Sequence, residues 1–177
     1  MTLPYIPDQV GLPILGQPYN FSDAKMATFF LDGDAAALNA LLDTYINQPS
    51  QGQMQYRCLA AKGQAFSLMI MAQMTVAASN PDGVAYGKER YSELSFWIPC
   101  YDRKALARGE FKPALFLPFL FPDSFSAITT GREMFGFRKQ LAAFQYPSGE
   151  LNVWHPQFTA STSGFKTLGA DSVAQQY

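Results

Sequence analysis

Thr130-Gly131-Arg132-Glu133-Met134-Phe135-Gly136-Phe137-Arg138-Lys139-Gln140-Leu141 sets one lysine inside an apolar, aromatic run. Read as an extended segment, Phe137, Lys139 and Leu141 share one face while Arg138 and Gln140 point away, because side chains alternate along a strand. A lysine flanked by two apolar side chains on a buried face loses hydration, and desolvation disfavours its ammonium form. The neutral amine is the form that attacks a carbonyl to make a Schiff base. A free lysine titrates near ~10.4, so only about one molecule in 2,500 is neutral at pH 7. Bringing that value down to ~7 makes roughly half of the population neutral and costs about 4.6 kcal/mol of differential solvation. Burial supplies that much in favourable cases. On spacing alone, an exposed lysine at a strand end fits the same residues.

Outward from this block, a second stretch reads as a regular strand. Tyr91-Ser92-Glu93-Leu94-Ser95-Phe96-Trp97-Ile98-Pro99 alternates well, with Tyr91, Glu93, Ser95 and Trp97 on one face and Leu94, Phe96 and Ile98 on the other. The second set suits packing against other elements, and the first suits a pocket wall. On alternation alone Glu93 fits a solvated strand residue equally well; only paired with a reactive lysine does it suit proton transfer or substrate orientation.

The lysine block resembles the signature of the acetoacetate decarboxylase family, in which Gly-Arg-Glu precedes, at fixed spacing, an aromatic residue, a proline and the Schiff-base lysine. The resemblance puts Lys139 on the nucleophilic lysine and Glu93 on the active-site glutamate. Pro18-Tyr19-Asn20-Phe21 and the helix around Leu38 follow the family's order, so the similarity runs from about Pro18 to about Ala170. Four positions depart from it. Arg138 stands at the family proline and Gln140 at the second lysine. The family's early active-site arginine aligns near Ala24, with Lys25 next to it, and a second pocket carboxylate aligns with Met69. Acetoacetate decarboxylase exemplifies a lysine activated by a neighbouring cation; here that neighbour is Arg138. Loss of an arginine and a carboxylate implies a larger or less charged substrate than a small β-keto acid. Lys139 and Glu93 are the expected catalytic residues, and Arg132, Met69 and Phe137 the expected substrate contacts. Arg132 also suits a structural ion pair with Glu133, and Met69, with Met71 and Met74, suits core filling.

Composition narrows the class. At 177 residues the chain reads as one domain with a substantial core. Charged residues make up only 15% and aromatics another 15%, a balance that implies a large apolar interior, an apolar cavity or a sizeable subunit interface. A net charge of −1 advertises no nucleic-acid surface. The apolar run from Ala65 to Ala78 is too short to span a bilayer as a helix, and no signal peptide is evident at the N-terminus, so a cytoplasmic protein without membrane partners is expected. Cys58 and Cys100 are too few for a disulfide framework and read as buried thiols. With His155 as the one histidine, no Cys/His metal site can be assembled, and no cofactor is implied.

Residues 1–20, with four prolines and two glycines, read as an irregular arm, and residues 21–177 as the domain proper. Strands are expected at 24–31, 54–61, 65–78, 90–101, 114–121, 144–146, 150–155 and 157–166. The first closes at an Asp32-Gly33 turn. Asp34 caps an amphipathic helix over 35–47, with Leu38, Leu41, Leu42 and Tyr45 on one stripe. Asn80-Pro81-Asp82-Gly83 reads as a turn, and Pro118 marks a bulge or an edge. Asp123 is expected to cap a short helix running to Thr130. Many short antiparallel strands with few helices give a mainly β fold with minor α, a cone or closed β-barrel. Small barrels of this kind enclose one ligand, and the resemblance likewise implies a central cavity into which the lysine points. The chain is short beside the family, and open sheet edges invite pairing, so an oligomer is expected, with a second chain able to complete the barrel. The expected function is a Schiff-base lyase acting on a keto substrate. Aldol or dehydration chemistry through the same lysine, a non-catalytic binding module and a structural subunit are the alternatives.

Overall fold

The computed structural model describes residues 17–79, 87–163 and 174–176. The Asn80-Pro81-Asp82-Gly83 turn and most of the N-terminal arm lie outside these residues. The described chain is mainly β, with antiparallel pairing and few helices. Its strands are β1 (Tyr19–Asp34), β2 (Tyr56–Cys58), β3 (Ala60–Ala61), β4 (Gln64–Ala78), β5 (Lys88–Asp102), β6 (Pro113–Pro122), β7 (Ala142–Gln145), β8 (Thr159–Ser163) and β9 (Ala174–Gln176). The larger sheet is ordered β1-β4-β5-β2, with β3 paired to β4 and β6 to β5; a smaller sheet is ordered β7-β8-β9. The expected strand at 157–166 is β8, and the polar tail contributes β9, with Gln176 opposite Ser161.

The chain divides into two compact units, one made of 27–71 and 94–120, the other of 1–26, 72–93 and 121–177. The longest strands each contribute a segment to both.

The first unit is built around α1 (Ala35–Leu42), which continues as a wider helical turn over Asp43–Asn47. The two together cover the expected 35–47. Asp34 caps α1, its carboxylate accepting the Ala37 N–H at 2.7 Å. The Asp32-Gly33 turn does not form. β1 runs straight into the helix, because Asp34 is still extended while it caps. Gly33 serves close packing instead: a Cβ there would meet Leu38 Cδ1 at 3.0 Å. Leu42, Cys58, Ala65, Ile98 and Cys100 form the core, with Leu38, Leu41 and Phe116 packed on it. Both cysteines are buried free thiols, facing one another across the β2–β5 pair. Residues two apart on an edge strand aim their N–H groups the same way. The Tyr56 and Cys58 N–H groups meet Asn47 Oδ1 at 2.7 Å and Asn39 Oδ1 at 3.0 Å, which closes that edge. A further helix, α2 (Arg103–Ala107), follows β5, capped by Asp102. The sequence carried this signal in Asp102-Arg103-Lys104-Ala105, too short to register as periodicity. Pro118 lies within β6, which pairs with β5 alone among the described strands.

In the second unit the short helix is α3 (Phe125–Phe135), longer than expected and capped by Ser124, whose Oγ accepts the Ala127 N–H at 3.1 Å. Asp123 is taken by another partner, accepting the Ser92 N–H of β5 at 2.7 Å. The strand expected at 150–155 is irregular. Asn152 Oδ1 accepts the N–H groups of Trp154 and His155, folding the segment into a local turn that competes with sheet pairing. Among the described residues no helix is long and apolar enough to cross a membrane.

Candidate active site

The site lies within the second unit, and three short segments build it. Residues 89–93 of β5 form its floor. Helix α3 is fastened there at its start: Asp123 bonds the Ser92 main chain in both directions. Ser124 Oγ donates to Glu89 Oε1 at 2.6 Å, and Ser126 Oγ donates to Glu89 Oε2. At its far end α3 stops at Gly136, which adopts the left-handed region at φ 67. Glycine occupies that region without steric cost. The N–H groups of Gly136 and Phe137 then return to the carbonyls of Arg132 and Gly131. This reversal carries Lys139 back alongside the helix it has just left.

Lys139 is 8% exposed overall. Its Nζ donates to Glu93 Oε2 at 2.9 Å, with side-chain exposures of 9% and 17% for the pair. Two residues 46 apart in sequence thus meet in a partly desolvated ion pair. Burial disfavours a lone charge, and an opposite charge at contact distance offsets that penalty. Tyr91 is on the same face of β5 as Glu93 and Glu89. Burial raises its phenol well above the ordinary value of 10.0, and the carboxylates of Glu93, Glu89 and Asp123 add to the effect. The phenol therefore stays protonated at neutral pH and is available as a donor.

The lysine's neighbours differ from the extended reading. Phe137 and Leu141 are 40% and 37% exposed. Lys139 makes a single bridge rather than a place in a continuous strand, so strict alternation does not govern 136–141. Of these residues only the lysine is buried. Phe137 stacks on Phe135 with ring centroids 5.7 Å apart, and Phe135 meets Tyr19 edge-on at 6.5 Å. Arg132 is tied to the lysine's own backbone: its Nε donates to the Lys139 carbonyl oxygen at 2.9 Å, and Nη2 donates to the same atom. Met69 is half-buried on β4 in the other unit. Lys25, beside the position of the family's early arginine, pairs with Glu150 at 2.5 Å. The two line a shallow pocket of about 280 Å³ with Leu151 and Trp154.

The sequence reading missed Gly131 as a contact of Lys139. A Cβ on Gly131 would lie 2.7 Å from Lys139 Cδ, 3.1 Å from Nζ, and closer still to Cε. The spacing of two glycines, Gly131 and Gly136, ahead of the lysine was visible, but only their conformations separate their roles.

No protein-family model and no curated protein matches the sequence. Solved structures do match. Two are of the enduracididine biosynthesis enzyme MppR, one with HEPES buffer bound and one complexed with the condensation product of pyruvate and imidazole 4-carboxaldehyde. Each has a TM-score of 0.57 and 15% identity, over 86% of this chain and 53% of that one. Another is an acetoacetate decarboxylase-like enzyme from Sphingomonas wittichii RW1, with a TM-score of 0.50 and 19% identity, over 84% of this chain and 53% of that one. The chain spans about half the length of these proteins. At such identities the likeness is one of fold: the chain has an acetoacetate decarboxylase-like fold, as the lysine block implied.

Proposed function

We propose that this chain is a Schiff-base-forming enzyme in which Lys139 is the nucleophile and Glu93 its proton partner. The observation that carries the reading is the 2.9 Å contact between a buried lysine amine and a carboxylate. Transfer of a proton from Nζ to Glu93 leaves a neutral amine at the carboxyl group that can return the proton. The amine adds to a ketone carbonyl, and loss of water gives a protonated imine. That cation accepts the electron pair of an adjacent bond. If the bond leads to a carboxylate, carbon dioxide departs, the resulting enamine is protonated at carbon, and hydrolysis frees the amine. Glu93 serves both proton steps, and the Tyr91 phenol is a second donor at the same strand face.

The substrate is a small keto compound, larger or less charged than the family's usual β-keto acid. Ala24 in place of an arginine supports this, as does the aromatic group around Phe137. A closed cone with a central cavity around Lys139 belongs to the same reading, as does an oligomer. The exposure of Phe21, Phe125 and Trp154 supports the latter, and sedimentation of the purified chain tests it.

A second reading keeps the imine and changes the bond. In aldol-type condensation the iminium loses an α-proton to Glu93 instead of carbon dioxide, and the enamine so formed attacks an aldehyde; a structural neighbour is known with a condensation product of pyruvate and an aldehyde. The test for both is borohydride reduction of the full chain with acetoacetate, pyruvate or acetone, followed by peptide mass analysis. A reduced adduct on Lys139, lost in Lys139→Met and slowed about 10²-fold in Glu93→Gln, is the expected result. Trapping confined to other lysines sinks the reading.

A further inference from the structure

Gly131 occupies the interior of α3, where glycine is a poor helix former, and it is not in the left-handed region that would require glycine. What it supplies is absence of a side chain. The methylenes of Lys139 lie against its Cα, where a Cβ would stand 2.7 Å from Cδ and overlap Cε. Gly136 is the converse case, with open space at its Cβ and a positive φ. Next to Gly131, Arg132 directs two N–H groups to the carbonyl of the same lysine. One helical turn therefore grips Lys139 at both ends, its main chain through a guanidinium fork and its stem through a bare Cα. A flexible four-carbon stem held in this way has few conformers left, and the remaining one delivers Nζ to Glu93.

We infer that Gly131 and Arg132 are positioning residues for Lys139: Gly131 provides the groove for the lysine stem, and Arg132 fixes the carbonyl at its base. The inference rests on Lys139 being the reacting amine, but its geometry can be read without any substrate. An alanine at 131 strengthens the helix while filling the groove, so the stem must leave and the amine swings away from Glu93.

The test uses the full chain and two readouts. Limited acetylation by acetic anhydride at pH ~10, where an exposed lysine is substantially neutral, is measured at Lys139 relative to Lys112 in the same molecule. This ratio reads access to the amine. Borohydride trapping with acetoacetate reads imine formation. Gly131→Ala is expected to raise the acetylation ratio several-fold and to lower trapping about 10²-fold, the size of loss that a small misplacement of a reacting group produces. Arg132→Ala moves both in the same direction by less, and Arg132→Gln, which keeps one donor, recovers part of the change. An acetylation ratio in Gly131→Ala equal to that of the wild type overturns the proposal. Altered ratios with no trapping at Lys139 in the wild type sink the Schiff-base reading and leave the positioning intact. If Gly131→Ala does not fold, Gly131→Ala/Lys139→Ala decides. Removal of the stem must restore folding to the level of Lys139→Ala, and a double variant that also fails to fold overturns the inference.

Discussion

The two units bury different chemistry. The unit made of 27–71 and 94–120 is sealed by side chains without charge: Leu42, Ile98, Met71 and both cysteine thiols. The other unit holds Gln73, Ser92, Ser124, Thr130 and Lys139, most of the buried polar groups among the described residues, and several of its buried apolar positions are alanines. Apolar burial stabilises roughly in proportion to area. Buried polar groups contribute little net and become costly when a partner is lost. The contrast places most of the large apolar burial in the first unit and the proposed Lys139–Glu93 site in the second.

Truncation of the apolar unit is the strongest attack on that contrast. Leu42 is fully buried, so Leu42→Ala is expected to cost about 3–5 kcal/mol in urea unfolding, more than any single substitution at the Lys139–Glu93 pair. A smaller cost than Lys139→Met would erase the distinction.

A second attack uses pH. Burial pushes the Cys100 thiol from its ordinary 9.0 up to about 11. The folded chain then holds that proton more tightly than the unfolded chain. The associated stability is complete below pH ~9, declines as pH rises between about 9 and 11, and amounts to about 2–3 kcal/mol. Cys100→Ala flattens this part of the stability profile, although it also lowers the plateau through the lost packing. An unchanged slope in Cys100→Ala would mean that the thiol is not the group responsible.

The polar unit offers the smallest effect. Lys139→Met leaves the Glu93 carboxylate without its cation, and because Glu93 keeps some exposure the cost is about 1–2 kcal/mol. The double variant Lys139→Met/Glu93→Gln is expected to regain most of it, since no charge is left unpaired. Equilibrium unfolding of the four proteins of this cycle gives the coupling. Additive costs would show that the pair does not act as a unit.

Much of the β architecture was legible because regular strands advertise their faces. β4 and β5 matched their expected limits closely, and the Leu38-Leu41-Leu42 stripe with Asp34 ahead of it announced α1. Legibility failed where a side chain chose between local partners. Ser124 and Asp123 are both good caps, and the choice fell to Ser124 because the Ser92 N–H of β5 claimed Asp123. The segment 150–155 has the composition of a strand, yet Asn152 satisfies its own neighbours' N–H groups.

From the order of residues alone came the strand-rich pattern, the helix at 35–47, two unpaired thiols, and one lysine and one glutamate in motifs resembling a Schiff-base family. Folding in three dimensions decided that these two meet at 2.9 Å, that Phe137 and Leu141 do not share the lysine's burial, and that one glycine yields space while the other yields a backbone turn. The reason is physical. Periodicity reports which way a side chain faces along its own element, whereas contact between residues 46 apart depends on how a helix is fastened to a strand, and no local pattern encodes that.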